Sequence, residues 1–150
     1  LAWNTWRHVE AWYGITGIGA IYHTVNPRLF PDQIVWILNH AGSRVLMLDL
    51  TFIPLIQQLA PKLLHIERFI ILTDGAHLPE TGLRNVIPYE DWLAEADGDF
   101  AWASFDERTA AGLCYTSGTT GDPKGVLYSH RSNVLHALAC NQVDCLGLCV

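Results

Sequence analysis

Two short runs of uninterrupted apolar residues, Val45 to Leu48 and Phe69 to Leu72, constrain this chain more than any other feature. A run without polar alternation leaves no face for water, so it suits a parallel strand covered on both faces by helices. The segments beside these runs carry helical spacing instead. Pro31 suits the first turn of a helix and Asp32 its positive end; Ile34, Ile37, Leu38 and Ala41 form one stripe, and Gly42 is a natural stop. Thr51 can cap a further helix that carries Leu55, Ile56 and Leu59 and closes at Pro61. Ahead of both, Asn4 or Thr5 can cap a helix with Trp6, Val9 and Tyr13 on one face, which Gly14, Gly17 and Gly19 break. Ala20 to Thr24 then reads as a short strand, turned by Asn26-Pro27. The order strand, helix, strand, helix, strand predicts an α/β fold with a largely parallel sheet and right-handed crossovers.

The second half is less regular. Residues 74–87 are rich in turn formers, and an amphipathic helix is expected from Tyr89 to Ala96. Asp97 to Arg108 reads as an acidic, irregular link whose charges are solvated. Ala111 to Tyr115 and Val126 to Tyr128 read as strands on either side of a loop rich in Gly, Ser and Thr. A helix starting near Ser129 carries Val134, Leu135, Leu138 and Ala139.

Half the residues are hydrophobic and 16% are charged, which is ample for a packed core and argues against disorder. A net charge of −6 without a Lys/Arg cluster argues against a nucleic-acid partner. No apolar run reaches the roughly 20 residues that span a bilayer, so no transmembrane segment is expected. Cys114, Cys140, Cys145 and Cys149 lack paired Cys-x-x-Cys zinc spacing and read as small buried hydrophobes in a reducing cytoplasm. The chain lacks an initiator Met and ends on apolar Leu148-Cys149-Val150, so the expectation is one partial domain over residues 1–150, truncated at both ends.

The run Tyr115-Thr116-Ser117-Gly118-Thr119-Thr120-Gly121-Asp122-Pro123-Lys124-Gly125 carries the chemistry. Glycines let backbone N–H groups approach an anion and form a nest around it. Hydroxyls donate to phosphate oxygens, and one could reach Mg2+. Lys124 supplies a compact positive charge, and Pro123 stiffens the loop's exit. The plain alternative is a flexible surface turn, since Gly, Ser and Thr abound in loops. Against it, strongly apolar strands flank the loop, and it ends in one lysine framed by Pro and Gly. A Walker A loop is excluded: that motif needs Gly-Lys-Ser/Thr opening a helix. Here Asp122-Pro123 separates Gly121 from Lys124, and a strand follows.

This run closely resembles the phosphate-loop signature of the adenylate-forming superfamily, which includes acyl-CoA synthetases, firefly-luciferase-like enzymes and nonribosomal peptide adenylation domains. Val126-Leu127-Tyr128-Ser129-His130-Arg131-Ser132-Asn133 looks like the family's continuation. Upstream, Gly17-Ile18-Gly19-Ala20-Ile21 and His23-Thr24-Val25-Asn26-Pro27-Arg28-Leu29 are similar to the branch that activates medium-chain fatty acids and small carboxylates such as methylthio-propionate. Val45 to Asp49 and Phe69 to Asp74 fit the same branch.

The resemblance implies part of the large N-terminal domain of such an enzyme, with a strand-loop-strand phosphate loop. It implies a ligase that joins a carboxylic acid to the α-phosphate of ATP, releases pyrophosphate and passes the acyl group to coenzyme A. Thr116, Ser117, Gly118, Thr119, Thr120, Gly121 and Lys124 would hold the β- and γ-phosphates, with Lys124 as the catalytic charge and Thr116 near Mg2+. The family also suggests a homodimer. By the same resemblance the ribose-binding acid, the Mg2+-binding Glu and a C-terminal catalytic lysine lie beyond Val150, so the isolated chain is expected to be inactive. The competing readings are an amino-acid adenylation domain, a non-catalytic nucleotide-binding domain, and a different ATP enzyme with a convergent loop. Among weaker candidates, His130 and Arg131 read as the start of a helix capped by Ser129, and His23 as a satisfied structural histidine rather than the lining of a tunnel. Trp3, Trp6, Trp12 and Trp36 read as core or subunit-contact aromatics.

Overall fold

The computed structural model describes residues 1–116 and 122–147. Its elements run α1 (Trp6–Gly17), β1 (Tyr22–Thr24), α2 (Pro31–His40), β2 (Val45–Leu48), α3 (Ile53–Leu59), β3 (Arg68–Ile71), β4 (Val86–Pro88), α4 (Tyr89–Ala94), β5 (Ala110–Thr116), β6 (Lys124–Ser129) and α5 (His130–Cys140). The α/β reading holds, but the strands divide between two three-stranded sheets. One has the order β2-β3-β4 and is parallel throughout. The other has the order β1-β5-β6, with β1 parallel to β5 and β5 antiparallel to β6. The strand expected first therefore pairs with a segment nearly a hundred residues later, not with β2.

The main core lies where α2 and α3 cover β2 and β3. Ile34 and Leu38 of α2, Ile53, Ile56 and Leu59 of α3, and Leu46, Leu48, Phe69 and Ile71 of the sheet form one buried cluster. Burying each such side chain contributes about 1.5–3 kcal/mol, so this packing holds the helices more firmly than any cap. Ile37, the other buried member of the α2 stripe, turns toward the second sheet and the cavity described below. The helix stops as expected, with Gly42 at φ +62°. Strand β2 departs from the expectation of cover on both faces: Leu46 and Leu48 are buried, but Val45 is 50% exposed.

Several expected boundaries shift. Helix α1 runs through Gly14 to Gly17, because one glycine costs only about 1 kcal/mol in a helix; its C-terminal turn gives way to Gly19 at φ +75°. Thr5 is its N-cap in backbone terms only, since its hydroxyl makes no cap bond. Thr51 does not cap α3; it lies inside a short 3-10 turn, Leu50–Phe52, that leads into Ile53. The turn-rich stretch 74–87 conceals the start of β4, which pairs Val86 with Phe69 after Asn85 takes φ +52°. Trp3 and Trp6 are exposed and so are not core residues, whereas Trp12 and Trp36 are half-buried.

The link 97–108 is irregular, as expected, but two of its aromatics, Trp102 and Phe105, touch the rest of the chain. Trp102 lies so close over Gly17 that any Cβ there would overlap its ring, and Phe105 covers Gly19 and packs on His130 at 4.7 Å. Glu107 accepts from Arg131, which fastens the link to the start of α5. Helix α5 presents Val134, Leu135 and Leu138 exposed, with Leu138 at 57%. Cys114 and Cys140 are partly accessible and Cys145 is exposed, so these three are not the buried hydrophobes expected; Cys149 lies outside the described residues. No helix among the described residues is long and apolar enough to cross a membrane.

Candidate functional site

The loop of interest hangs from the β5–β6 hairpin. Thr116, the last residue of β5, is register partner to Lys124, the first of β6, and Tyr115 is partner to Gly125. The expected strand-loop-strand arrangement is therefore present, with α5 beginning only at His130. A helix N-terminus does not follow the lysine, which separates this geometry from a Walker A loop.

Thr116 and Lys124 are both exposed, and the Thr116 hydroxyl leans on the Lys124 carbonyl at 3.4 Å. Antiparallel pairing thus brings the loop's first hydroxyl and its only cation side by side, although they are eight positions apart in sequence. Ser117, Gly118, Thr119, Thr120 and Gly121 lie outside the described residues.

Beside the hairpin tip opens a cavity of about 480 Å³, within the range typical of small-molecule sites. Thr116 and Pro123 line it from the hairpin, Thr24 and Asn26 from the end of β1, and Gln33 from α2. The lining holds hydroxyls and amides but no carboxylate among the described residues, so its chemistry fits an anion. The Asn26-Pro27 turn is real: Asn26 Oδ1 accepts from the Arg28 N–H at 2.9 Å.

Behind the cavity the hairpin meets α2 through aromatic rings. His40 Nδ1 and the Tyr115 hydroxyl share a hydrogen bond of 2.6 Å. His40 stacks on Trp36 with ring centroids 4.5 Å apart, and Trp36 meets Tyr115 edge-on at 6.2 Å. His23 packs on Tyr115 at 5.2 Å and bonds Ser43 Oγ through Nδ1 at 2.9 Å. Burial pushes the His23 imidazole down to about 4, so it is neutral near pH 7. Desolvation likewise raises the Tyr115 phenol, which stays protonated. His23 is thus held within the structure, but it is not the satisfied histidine expected, because its Nε2 is buried without a hydrogen-bond partner.

Ser129 caps α5, its Oγ accepting from the Ser132 N–H at 3.1 Å. With Arg131 paired to Glu107 and His130 against Phe105, both side chains are engaged in holding the link, as the helix-start reading requires. Sequence reasoning missed His40 and the role of Gly125. The available signal was the i, i+4 spacing of Trp36 and His40, which puts both rings on one face of α2.

The AMP-binding enzyme family model matches residues 1–148, and the chain belongs to that family. It is 50% identical over 147 residues to a 3-methylmercaptopropionyl-CoA ligase of Ruegeria pomeroyi, covering 98% of this chain and 27% of that protein. It is 43% identical over 148 residues to a medium-chain-fatty-acid–CoA ligase of Ectopseudomonas oleovorans, covering 99% and 27%. Among solved structures, the anthranilate CoA ligase AuaEII in complex with anthranoyl-AMP superposes with a TM-score of 0.81 at 28% identity, over 92% of this chain and 26% of that one. The chain spans about a quarter of the length of these relatives.

Proposed function

We propose that the chain is part of the N-terminal AMP-binding domain of an acyl-CoA ligase. The parent enzyme converts a carboxylic acid and ATP to acyl-adenylate and pyrophosphate, then transfers the acyl group to coenzyme A. The observation that carries this reading is the register pairing of Thr116, which lines the cavity, with Lys124 at the hairpin tip, beside a lining that holds no carboxylate among the described residues. The relatives, which are named as CoA ligases, support it.

The physical difficulty is to bring a carboxylate to a polyanion. Positive charge and donors placed where the leaving pyrophosphate gains charge lower that barrier. Lys124 supplies the charge. Thr116, Ser117, Gly118, Thr119, Thr120 and Gly121 supply hydroxyl and backbone N–H donors to the β- and γ-phosphates. Bound Mg2+ neutralises phosphate charge, and we assign Thr116 as the hydroxyl on its side. The substrate class is a medium-chain fatty acid or a small thioether acid, by the relatives' names. We place the enzyme in the cytoplasm and expect a homodimer.

The test is the full-length enzyme incubated with ATP, Mg2+, coenzyme A and a panel of carboxylic acids, read by mass spectrometry. Acyl-AMP and pyrophosphate, followed by acyl-CoA and AMP, are expected. ADP with a phosphorylated acid would exclude the reading.

A further inference from the structure

We infer that His40 is a positioning residue for the phosphate loop, acting through its hydrogen bond to Tyr115; this rests on the reading of residues 116–124 as the triphosphate grip. Strand β1 pairs with β5 only as far as Cys114, so Tyr115 and Thr116 project beyond β1 and are paired on one side alone, to β6. Strand β6 offers little support of its own, being exposed from Lys124 to Tyr128. A hairpin end paired on one side and open to water frays readily. The position of Thr116 and Lys124 therefore depends on whatever else holds the hairpin tip.

The last turn of α2 holds it. The His40–Tyr115 bond of 2.6 Å joins residues 75 positions apart, and Trp36 fixes the His40 ring by stacking at an interplanar angle of 14°. The Tyr115 ring in turn reaches across the ladder to Gly125, where an added Cβ would lie 3.1 Å from Tyr115 Cζ. One ring thus touches both arms of the hairpin immediately before Thr116 and immediately after Lys124. Helix α2 is itself set in the main core by Ile34 and Leu38, so the chain of contacts runs from a rigid element to the loop. Neither His40 nor Tyr115 needs to touch the nucleotide.

The experiment uses the full-length enzyme carrying His40→Ala, His40→Gln, Tyr115→Phe and the double variant His40→Ala/Tyr115→Phe. Acid-dependent ATP–pyrophosphate exchange is measured against ATP concentration. Thioester formation from preformed acyl-adenylate and coenzyme A is measured in parallel. Losing one neutral hydrogen bond should raise the KM for ATP by about three- to tenfold in His40→Ala and in Tyr115→Phe. The double variant should be no worse than either single one, His40→Gln should recover most of the loss, and thioester formation from acyl-adenylate should stay at the wild-type rate. If His40→Ala does not fold, Tyr115→Phe, which keeps the ring, carries the test. An unchanged KM for ATP, additive losses, or an equal loss in both half-reactions would overturn the inference. A wild-type enzyme that exchanges pyrophosphate with no acid brings down the ligase reading and this inference together.

Discussion

Tyr115 and Gly125 are register partners across the β5–β6 ladder, and the Tyr115 ring fills the space a side chain at Gly125 would need. A Cβ added at Gly125 would lie 3.1 Å from Tyr115 Cζ and 3.2 Å from Leu113 Cδ1. The Tyr115 ring cannot yield freely, because its hydroxyl is bonded to His40. Gly125→Val is therefore expected to destabilise the protein by about 1–3 kcal/mol, as overpacking does. Thermal unfolding of the full-length protein checks this, and Tyr115→Leu in the same background should restore part of the loss.

His23 is held neutral by burial, with its imidazole lowered to about 4 from the ordinary 6.5. A lowered histidine takes up protons more readily in the unfolded chain. The unfolded state then binds more protons between pH 6.5 and about 4, so stability falls as pH drops through that window and is fully present above it. The melting temperature of the full-length protein should decline from pH 6.5 toward pH 4.5, and His23→Gln, which cannot titrate, should flatten that decline. A decline of unchanged slope in the variant counts against the buried, neutral histidine.

Helix α5 leaves Val134, Leu135 and Leu138 in water, and Leu127 beside it is 58% exposed. An exposed apolar patch of this kind promotes association. The 150-residue chain, prepared alone, is expected to self-associate with rising concentration in light scattering and to form no adenylate. A monomer at high concentration, or acyl-AMP made by this chain alone, contradicts that expectation.

The legible parts of the fold were those with a local signal. Strands β2 and β3 were visible as unbroken apolar runs, and α2 as a stripe bounded by Pro31 and Gly42. The hairpin was visible because apolar segments flank a loop of small polar residues. Strand β4 was hidden because it has three residues, one of them Pro88, and packs through β3 rather than by its own pattern. The division into two sheets was hidden because pairing of Tyr22 with Gly112 depends on Gly112 leaving room for the Tyr22 ring, which no local pattern announces. At the site, the chemistry proposed for the loop comes from its residue types alone, whereas His40 became visible only when α2 was placed against Tyr115. Tertiary partners of a residue are not encoded by its neighbours in sequence.

The reading of the hairpin as a phosphate grip stands on Lys124. The decisive measurement is acid- and Mg2+-dependent ATP–pyrophosphate exchange by the full-length enzyme, wild type against Lys124→Ala. Loss of one charge-stabilising contact should slow exchange about a hundredfold, with the melting temperature unchanged because the side chain is exposed. Exchange at the wild-type rate in Lys124→Ala would contradict the assignment.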